Sequence, residues 1–151
     1  ESKLGAMEAL DAREQQLIDE LDTEALEAKL KWLTKELDGM IAAFRDIVVN
    51  RPHLLRIVDV IICESGSIDP EALESVRRLH KNTMATIIAG FENAMGSPLP
   101  RAEQLSHTIT ALLRGIHRHY VLYGEELDLD AYFDDFKRTV IACLAERARS
   151  S

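Results

Sequence analysis

The chain lacks a long hydrophobic run and an apolar leader. Its longest mostly apolar stretch, Ile57 to Cys63, is interrupted by Asp59, whereas a membrane-spanning helix needs about 18–20 consecutive apolar residues. The first residues do not form the positively charged, apolar segment that is typical of secretory targeting. We therefore expect no membrane partner and a cytoplasmic location.

Familiar catalytic signatures are also absent. The sequence contains no GxSxG, HExxH or CxxC motif and no glycine-rich phosphate loop. Cys63 and Cys143 lie far apart on apolar helix faces, so buried free thiols are predicted rather than a disulfide or a metal pair. We predict no enzyme activity, no metal and no cofactor; a small all-helical enzyme is the alternative from a different class.

Positive charge is scarce. Eighteen Lys and Arg against 26 Asp and Glu give a net charge of −8, and the cations are scattered, so this chain by itself is not expected to bind nucleic acid. The small basic groups are interpreted as solvated helix faces; they are Arg77, Arg78 and Lys81, and Arg114 with Arg118. With 46% hydrophobic and 29% charged residues in 151 positions, a single globular domain spanning residues 1–151 is expected.

Apolar residues recur at helical spacing along the whole chain, which predicts an all-α fold of about six helices. The predicted helices are Ser2–Leu21, Glu24–Val49, Pro52–Glu64, Pro70–Met95, Pro100–Tyr123 and Leu129–Arg149. Prolines and caps mark the boundaries at Arg51-Pro52 and Asp69-Pro70, and residues 64–67 are predicted to form a loop. Asp22 and Thr23 can begin a new helix, although one bent helix through this point remains possible.

The last two predicted helices have the pattern of an antiparallel pair. Gly124 can end the first of them in a left-handed conformation, and Asp128 can cap the second. Beside its main apolar stripe, the first helix has a line of small residues, Thr108, Ala111 and Gly115. A second helix can approach such a line closely, so we predict that this pair forms a homodimer interface.

Three segments resemble the tetracycline-repressor (TetR) family of transcriptional regulators. The run TALLRGIHRHYVLYGEELDLDAYFDDFKRTVIACL resembles the closing helix pair of that family. The opening ESKLGAMEAL resembles its junction between a DNA-binding head and a regulatory body, and NRPHLLRIV resembles the connection between its fifth and sixth helices. The chain is thus similar to a TetR-like C-terminal regulatory domain.

The resemblance implies a dimer, a DNA-binding head outside this chain, and repression of transcription. The closing helix pairs of two copies would form a four-helix bundle, with Thr108, Ala111, Gly115, Leu122, Val140 and Leu144 at the interface. Residues 1–21 would be the helix that connects to the absent helix-turn-helix head, with Ser2 as its cap and Lys3 contacting an operator phosphate. A headless relative that acts only through protein contacts remains an alternative.

The resemblance further implies an effector cavity among the middle helices. The side chains expected to face it combine flexible apolar groups with a few hydrogen-bonding groups, as small-molecule sites do. They are Met40, Phe44, Val58, Ile62, His80, Met84, Ile88, Phe91, His117 and Tyr120. The expected ligand is a small apolar organic effector; an ordinary packed core is the alternative.

Overall fold

A computed structural model describes residues 3–64 and 69–149, apart from the side chains at positions 21, 22 and 149. These residues form five α-helices and one 3₁₀ turn, without a strand, so the predicted all-α class is confirmed. The helices are α1 (Lys3–Asn50), α2 (Pro52–Cys63), α3 (Pro70–Met95), α4 (Ala102–Tyr123) and α5 (Leu129–Arg149), and the 3₁₀ turn is Gly124–Glu126. The proposed cap at Ser2 and the predicted loop at residues 65–67 lie outside the described residues.

The predicted number of six helices is wrong because the first two are one helix. α1 runs without interruption through Asp22 and Thr23. The Thr23 hydroxyl donates to the Asp19 carbonyl at 2.8 Å, which is the bond that a threonine makes one turn back inside a continuing helix. Thr23 therefore does not begin a new helix.

The chain divides into two compact units, Glu1–Trp32 and Leu33–Ser151. The first unit contains only α1 residues among those described, and most of its larger apolar side chains are exposed, including Leu4, Met7 and Leu10. The boundary lies within α1, beyond Leu21, where the sequence-based linking helix was expected to end. The second unit contains the remaining helices and all of the buried core.

Local signals place the ends of the middle helices as predicted. Asn50 ends α1 and Pro52 begins α2, since proline suits the first helical turn. The Asp69 carboxylate accepts a hydrogen bond from the Glu71 amide at 3.0 Å and caps α3. Gly96 ends α3 with a φ of 73°, a left-handed conformation that costs glycine little.

The corner between α4 and α5 also follows its predicted signals. Gly124 has a positive φ of 57° and opens the 3₁₀ turn. The Asp128 carboxylate then accepts from the Ala131 amide at 3.1 Å, which caps the start of α5. α4 itself begins at Ala102 rather than at Pro100, because Arg101 adopts a left-handed conformation with φ of 54°.

The core of the second unit lies between α3, α4, α5 and the C-terminal half of α1. Its fully buried members are Leu37, Val48, Phe91, Leu105, Ile109, Val140 and Leu144. On α1, Phe44 meets Phe133 edge to face at a centroid distance of 6.3 Å, Lys137 pairs with Asp38 at 3.0 Å, and Arg45 pairs with Asp130. These contacts hold α5 against the C-terminal half of α1.

Arg147 has a different role from the one that its position suggests. It lies in the C-terminal half of α5, where the sequence indicates a favourable interaction with the helix dipole. The structure buries it, with Nε donating to the Pro100 carbonyl at 3.1 Å and Nη1 to the Cys143 carbonyl at 3.2 Å. Arg147 therefore holds the connection between α3 and α4 against α5.

Two predictions from apolar patterning have mixed outcomes. Both cysteines are free as expected, but Cys63 is exposed and Cys143 is half-buried, so the prediction that both are buried is wrong. The apolar composition of α2 indicates a short buried helix, but α2 contains no buried residue, so this prediction is wrong. Over the part of the chain that the structure describes, no helix is both long enough and apolar enough to cross a membrane.

Candidate functional site

The second unit contains a large apolar cavity that is open to solvent. Its volume is about 1010 Å³, and side chains from α1, α2, α3 and α4 form its walls. Drug-sized ligands occupy cavities of roughly 300–1,000 Å³, so the space suffices for an organic molecule. The apolar wall is made by Met40, Ala43, Phe44, Ile47, Leu55, Val58, Ile62, Leu73, Val76, Leu79, Met84, Ile87, Phe91, Ala111 and Leu113.

Most of the residues that were predicted from the sequence to face a ligand line this cavity. They are Met40, Phe44, Val58, Ile62, His80, Met84 and Phe91. Ile88 is buried and does not line the cavity; its neighbour Ile87 does. Successive helical residues point about 100° apart, so the choice of Ile88 was one position out. Tyr120 is half-buried and is not part of the wall.

Polar groups gather at one corner of the cavity, where α3 meets α4. His80 Nε2 lies 2.7 Å from the Thr110 hydroxyl, and that hydroxyl donates to the Ser106 carbonyl at 2.9 Å. The Thr110 hydroxyl also lies 3.6 Å from Met84 Sδ, and the tautomer of His80 decides which group donates in the His80–Thr110 bond. The His80 and His107 rings stack with centroids 5.9 Å apart.

This corner disfavours a protonated His80. Burial lowers the pKa of His80 below its usual value, and the nearby His107 and Arg114 lower it further. A neutral imidazole presents a hydrogen-bonding surface without a full charge. The corner can therefore orient a polar group of a guest whose apolar part lies against the remaining wall.

Arg114 links this corner to a second, smaller cavity. Its Nη2 atom pairs with Asp59 on α2 at 2.9 Å, while its Nη1 atom is buried without a hydrogen-bond partner. Asp59 and His117 line the smaller cavity, which has a volume of about 290 Å³. The Arg114–Asp59 pair thus stands between the two spaces, and His117 belongs to the smaller one rather than to the ligand cavity predicted for it.

His117 is almost completely buried and incompletely bonded. It is 4% exposed, and its Nδ1 atom lies 3.8 Å from the nearer Asp59 oxygen, too far for a hydrogen bond. Burial lowers the pKa of His117; Asp59 opposes this effect, and Arg114 and Arg118 add to it. His117 therefore faces the interior of the second unit but not the large cavity.

The sequence reasoning missed the cavity-facing residues of α4. His107, Thr110 and Arg114 are three and four positions apart and so share one helix face. That spacing was the available signal. Arg114 was instead interpreted as a solvated cation, which is wrong because its side chain is mostly covered and paired with Asp59.

The residues predicted for a dimer interface fall into two groups. Thr108, Gly115 and Leu122 are exposed, with Leu122 at 75%. Ala111 is also exposed but lines the cavity. Val140 and Leu144 are fully buried within the chain. Their assignment to an interface is corrected here, because the face of α5 that contains them packs inside the second unit.

Neither the search for metal ligands nor the comparisons with known proteins point to a different site. No group of three or more His, Cys, Asp or Glu residues is arranged to hold a metal ion among residues 3–64 and 69–149. Comparison with protein-family models, with curated protein sequences and with solved structures found no match. We therefore infer function from the chemistry of the cavity and from the sequence resemblance.

Proposed function

We propose that this chain is the effector-binding and dimerisation body of a TetR-like transcriptional repressor. The observation that carries the proposal is the cavity of about 1010 Å³, whose walls are mostly apolar and whose polar groups lie together at one corner. Such a combination suits a small organic molecule better than it suits a folded core, which is packed without large voids. The resemblance to the family at both ends of the chain supports the same interpretation.

In this proposal the effector acts by shifting a conformational equilibrium. The C-terminal half of α1 lines the cavity from Lys35 to Ile47, and the family resemblance assigns the start of the same helix to the connection with a DNA-binding head. An effector that binds one arrangement of these helices more tightly changes its population. An effector that binds all arrangements equally changes nothing.

The proposed dimer uses the outer face of α4. Thr108, Gly115 and Leu122 are exposed there, and a β-carbon added at Gly115 would meet no atom within 4 Å. The surface is therefore free to receive a helix from a second copy. With Val140 and Leu144 occupied inside the chain, α4 provides most of the surface that we assign to the partner.

Two adjacent alanines on α1 provide a direct test of effector binding. Ala43 lines the cavity whereas Ala42 does not, and both are exposed. Ala43→Trp should fill part of the space and weaken binding of the neutral apolar dye Nile red, measured by fluorescence. Ala42→Trp adds the same side chain to the same helix outside the cavity and should leave binding unchanged.

A thermal-shift screen extends this test from the dye to small apolar organic molecules with one polar group. Binding to the folded state alone adds about 2.7 kcal/mol of stability at a hundredfold excess over Kd, which raises the melting temperature measurably. Absence of any shift, together with equal dye binding by the two tryptophan variants, would contradict an effector-binding role.

A further inference from the structure

The charged side chains of the cavity are not evenly distributed. Arg114 lies at the polar corner with His80, His107 and Thr110. Glu36, the carboxylate in the wall, lies against Gly90, with its Oε2 atom 2.9 Å from the position of an added β-carbon. Gly90 is ten positions after His80 along α3, which corresponds to about 15 Å of helix. Lys35, next to Glu36 in the sequence, also lines the cavity, so the end with the acid contains a cation as well, whereas the polar corner contains Arg114 and no acid of the cavity wall.

The donors at the polar corner are not fully used. Arg114 Nη2 pairs with Asp59, but Arg114 Nη1 is buried without a partner. A buried guanidinium donor without an acceptor is unfavourable, since it has lost its water and gained no replacement. Arg77, another arginine of the cavity wall, differs in this respect because it pairs with Glu74 at 2.9 Å in an exposed position.

An anion is the group that this corner lacks. A carboxylate has two acceptor oxygens and matches the planar donor fork of a guanidinium. Burial is the main cause of the lowered pKa of His80, and the positive potential of His107 and Arg114 lowers it further. A neutral alcohol would supply an acceptor but would not compensate that potential.

We infer that the cavity binds an amphipathic monocarboxylate, with the carboxylate at Arg114 beside His80 and Thr110 and the apolar chain along Met84 and Ile87. This inference rests on the proposed effector-binding function and specifies the chemical class of the effector. Because Arg114 Nη1 has no contact with solvent, the ligand carboxylate reaches it by turning the guanidinium toward the cavity. Asp59 is thereby a competitor for the same guanidinium. Removing the charge of Asp59 therefore strengthens ligand binding.

The experiment compares decanoate with decan-1-ol by isothermal titration calorimetry, with both kept below the concentrations at which they aggregate. A charge-assisted bond at a desolvated site corresponds to a preference of roughly tenfold or more, so decanoate should bind at least that much more tightly. Arg114→Gln should abolish the preference. Arg118→Gln, which removes an exposed arginine of the same helix that does not line the cavity, should preserve it.

Asp59→Asn should change ligand binding in the opposite direction from Arg114→Gln. A gain in affinity cannot result from a loss of folding. This variant should increase the affinity for decanoate while leaving that for decan-1-ol unchanged. If Arg114→Gln alone does not fold, the double variant with Asp59→Asn replaces the ion pair by two amides and should bind both ligands equally.

The outcomes separate this inference from the function on which it rests. Equal binding of decanoate and decan-1-ol, or an intact preference in Arg114→Gln, overturns the carboxylate inference while the apolar cavity remains a ligand site. Failure of both ligands and of Nile red to bind overturns the inference and the proposed function together.

Discussion

Phe44 connects the ligand cavity with the core, so its replacement by alanine separates binding from stability. One side of the ring lines the cavity and the other meets Phe133 at 6.3 Å between centroids and 88° between planes. Truncation of a fully buried phenylalanine to alanine lowers the free energy of unfolding of a protein by about 3–5 kcal/mol. Phe44 is only half-buried, because its cavity side has no packed neighbour. We therefore expect Phe44→Ala to lower the free energy of unfolding by about 2–3 kcal/mol, of which the edge-to-face contact accounts for about 0.5–1.5 kcal/mol.

The effect of Phe44→Ala on ligand binding is a separate quantity. Burying a whole large apolar side chain against a ligand contributes about 1.5–3 kcal/mol. Since roughly half of the ring faces the cavity, the loss should be about 1 kcal/mol, or roughly fivefold in the Kd for Nile red. Fluorescence titration in native buffer gives the Kd, and urea denaturation without dye gives the free energy of unfolding.

Phe133→Ala is the matched control. Phe133 makes the same ring contact and is 3% exposed, but it does not line the cavity. Its truncation should reduce stability more, by about 3–5 kcal/mol, while changing the Kd of the folded protein less than about twofold. The reasoning is refuted if Phe133→Ala weakens dye binding as much as Phe44→Ala, or if Phe44→Ala leaves the Kd unchanged.

Two further predictions concern dimerisation and pH. Gly115→Leu should stabilise the isolated chain by roughly 0.5–1 kcal/mol through helix propensity, because no atom lies within 4 Å of an added β-carbon. The same change should weaken the proposed dimer. An unchanged molar mass by light scattering would count against this interface. Burial lowers the pKa of His117 in the folded protein. As the pH falls below 6.5, the usual pKa of histidine, His117 therefore becomes protonated in the unfolded state before it does so in the folded state. The free energy of unfolding should decrease over this range, down to the lowered pKa of the folded state. His117→Asn should flatten that part of the pH profile, with the charges of Asp59, Arg114 and Arg118 retained around it; an identical slope would exclude this origin.

Helix ends were determined almost entirely by neighbouring residues. Pro52, Asp69, Gly96 and Asp128 act through bonds within one turn of the chain, such as the 3.0 Å contact from the Glu71 amide to Asp69. Local signals of this kind do not depend on the rest of the fold. Thr23 shows their limit, because a threonine suits both a helix start and a continuing helix, and here its hydroxyl bonds back to Asp19.

The apolar faces were determined by periodicity, but only to within about one residue. Helical spacing correctly directed Met40, Phe44 and Met84 toward the interior of the second unit, since residues on one stripe must share an environment. It did not distinguish Ile87 from Ile88, because neighbouring positions differ by only about 100° in direction. Periodicity also cannot tell which of two apolar neighbours a stripe will contact, and so Val140 and Leu144 were assigned to a partner instead of to the core.

The polar corner and the unpartnered Nη1 atom of Arg114 were decided by the tertiary structure alone. Arg114 and Asp59 are 55 positions apart in the sequence, and His80 and Thr110 are 30 apart. Nothing local requires either pair to meet; the pairs form because α2 and α3 each approach α4. A cavity is likewise a space between four helices rather than a property of any one of them. The sequence alone therefore determined where helices begin, end and present apolar residues, and only their packing decided which polar groups remain exposed to a ligand.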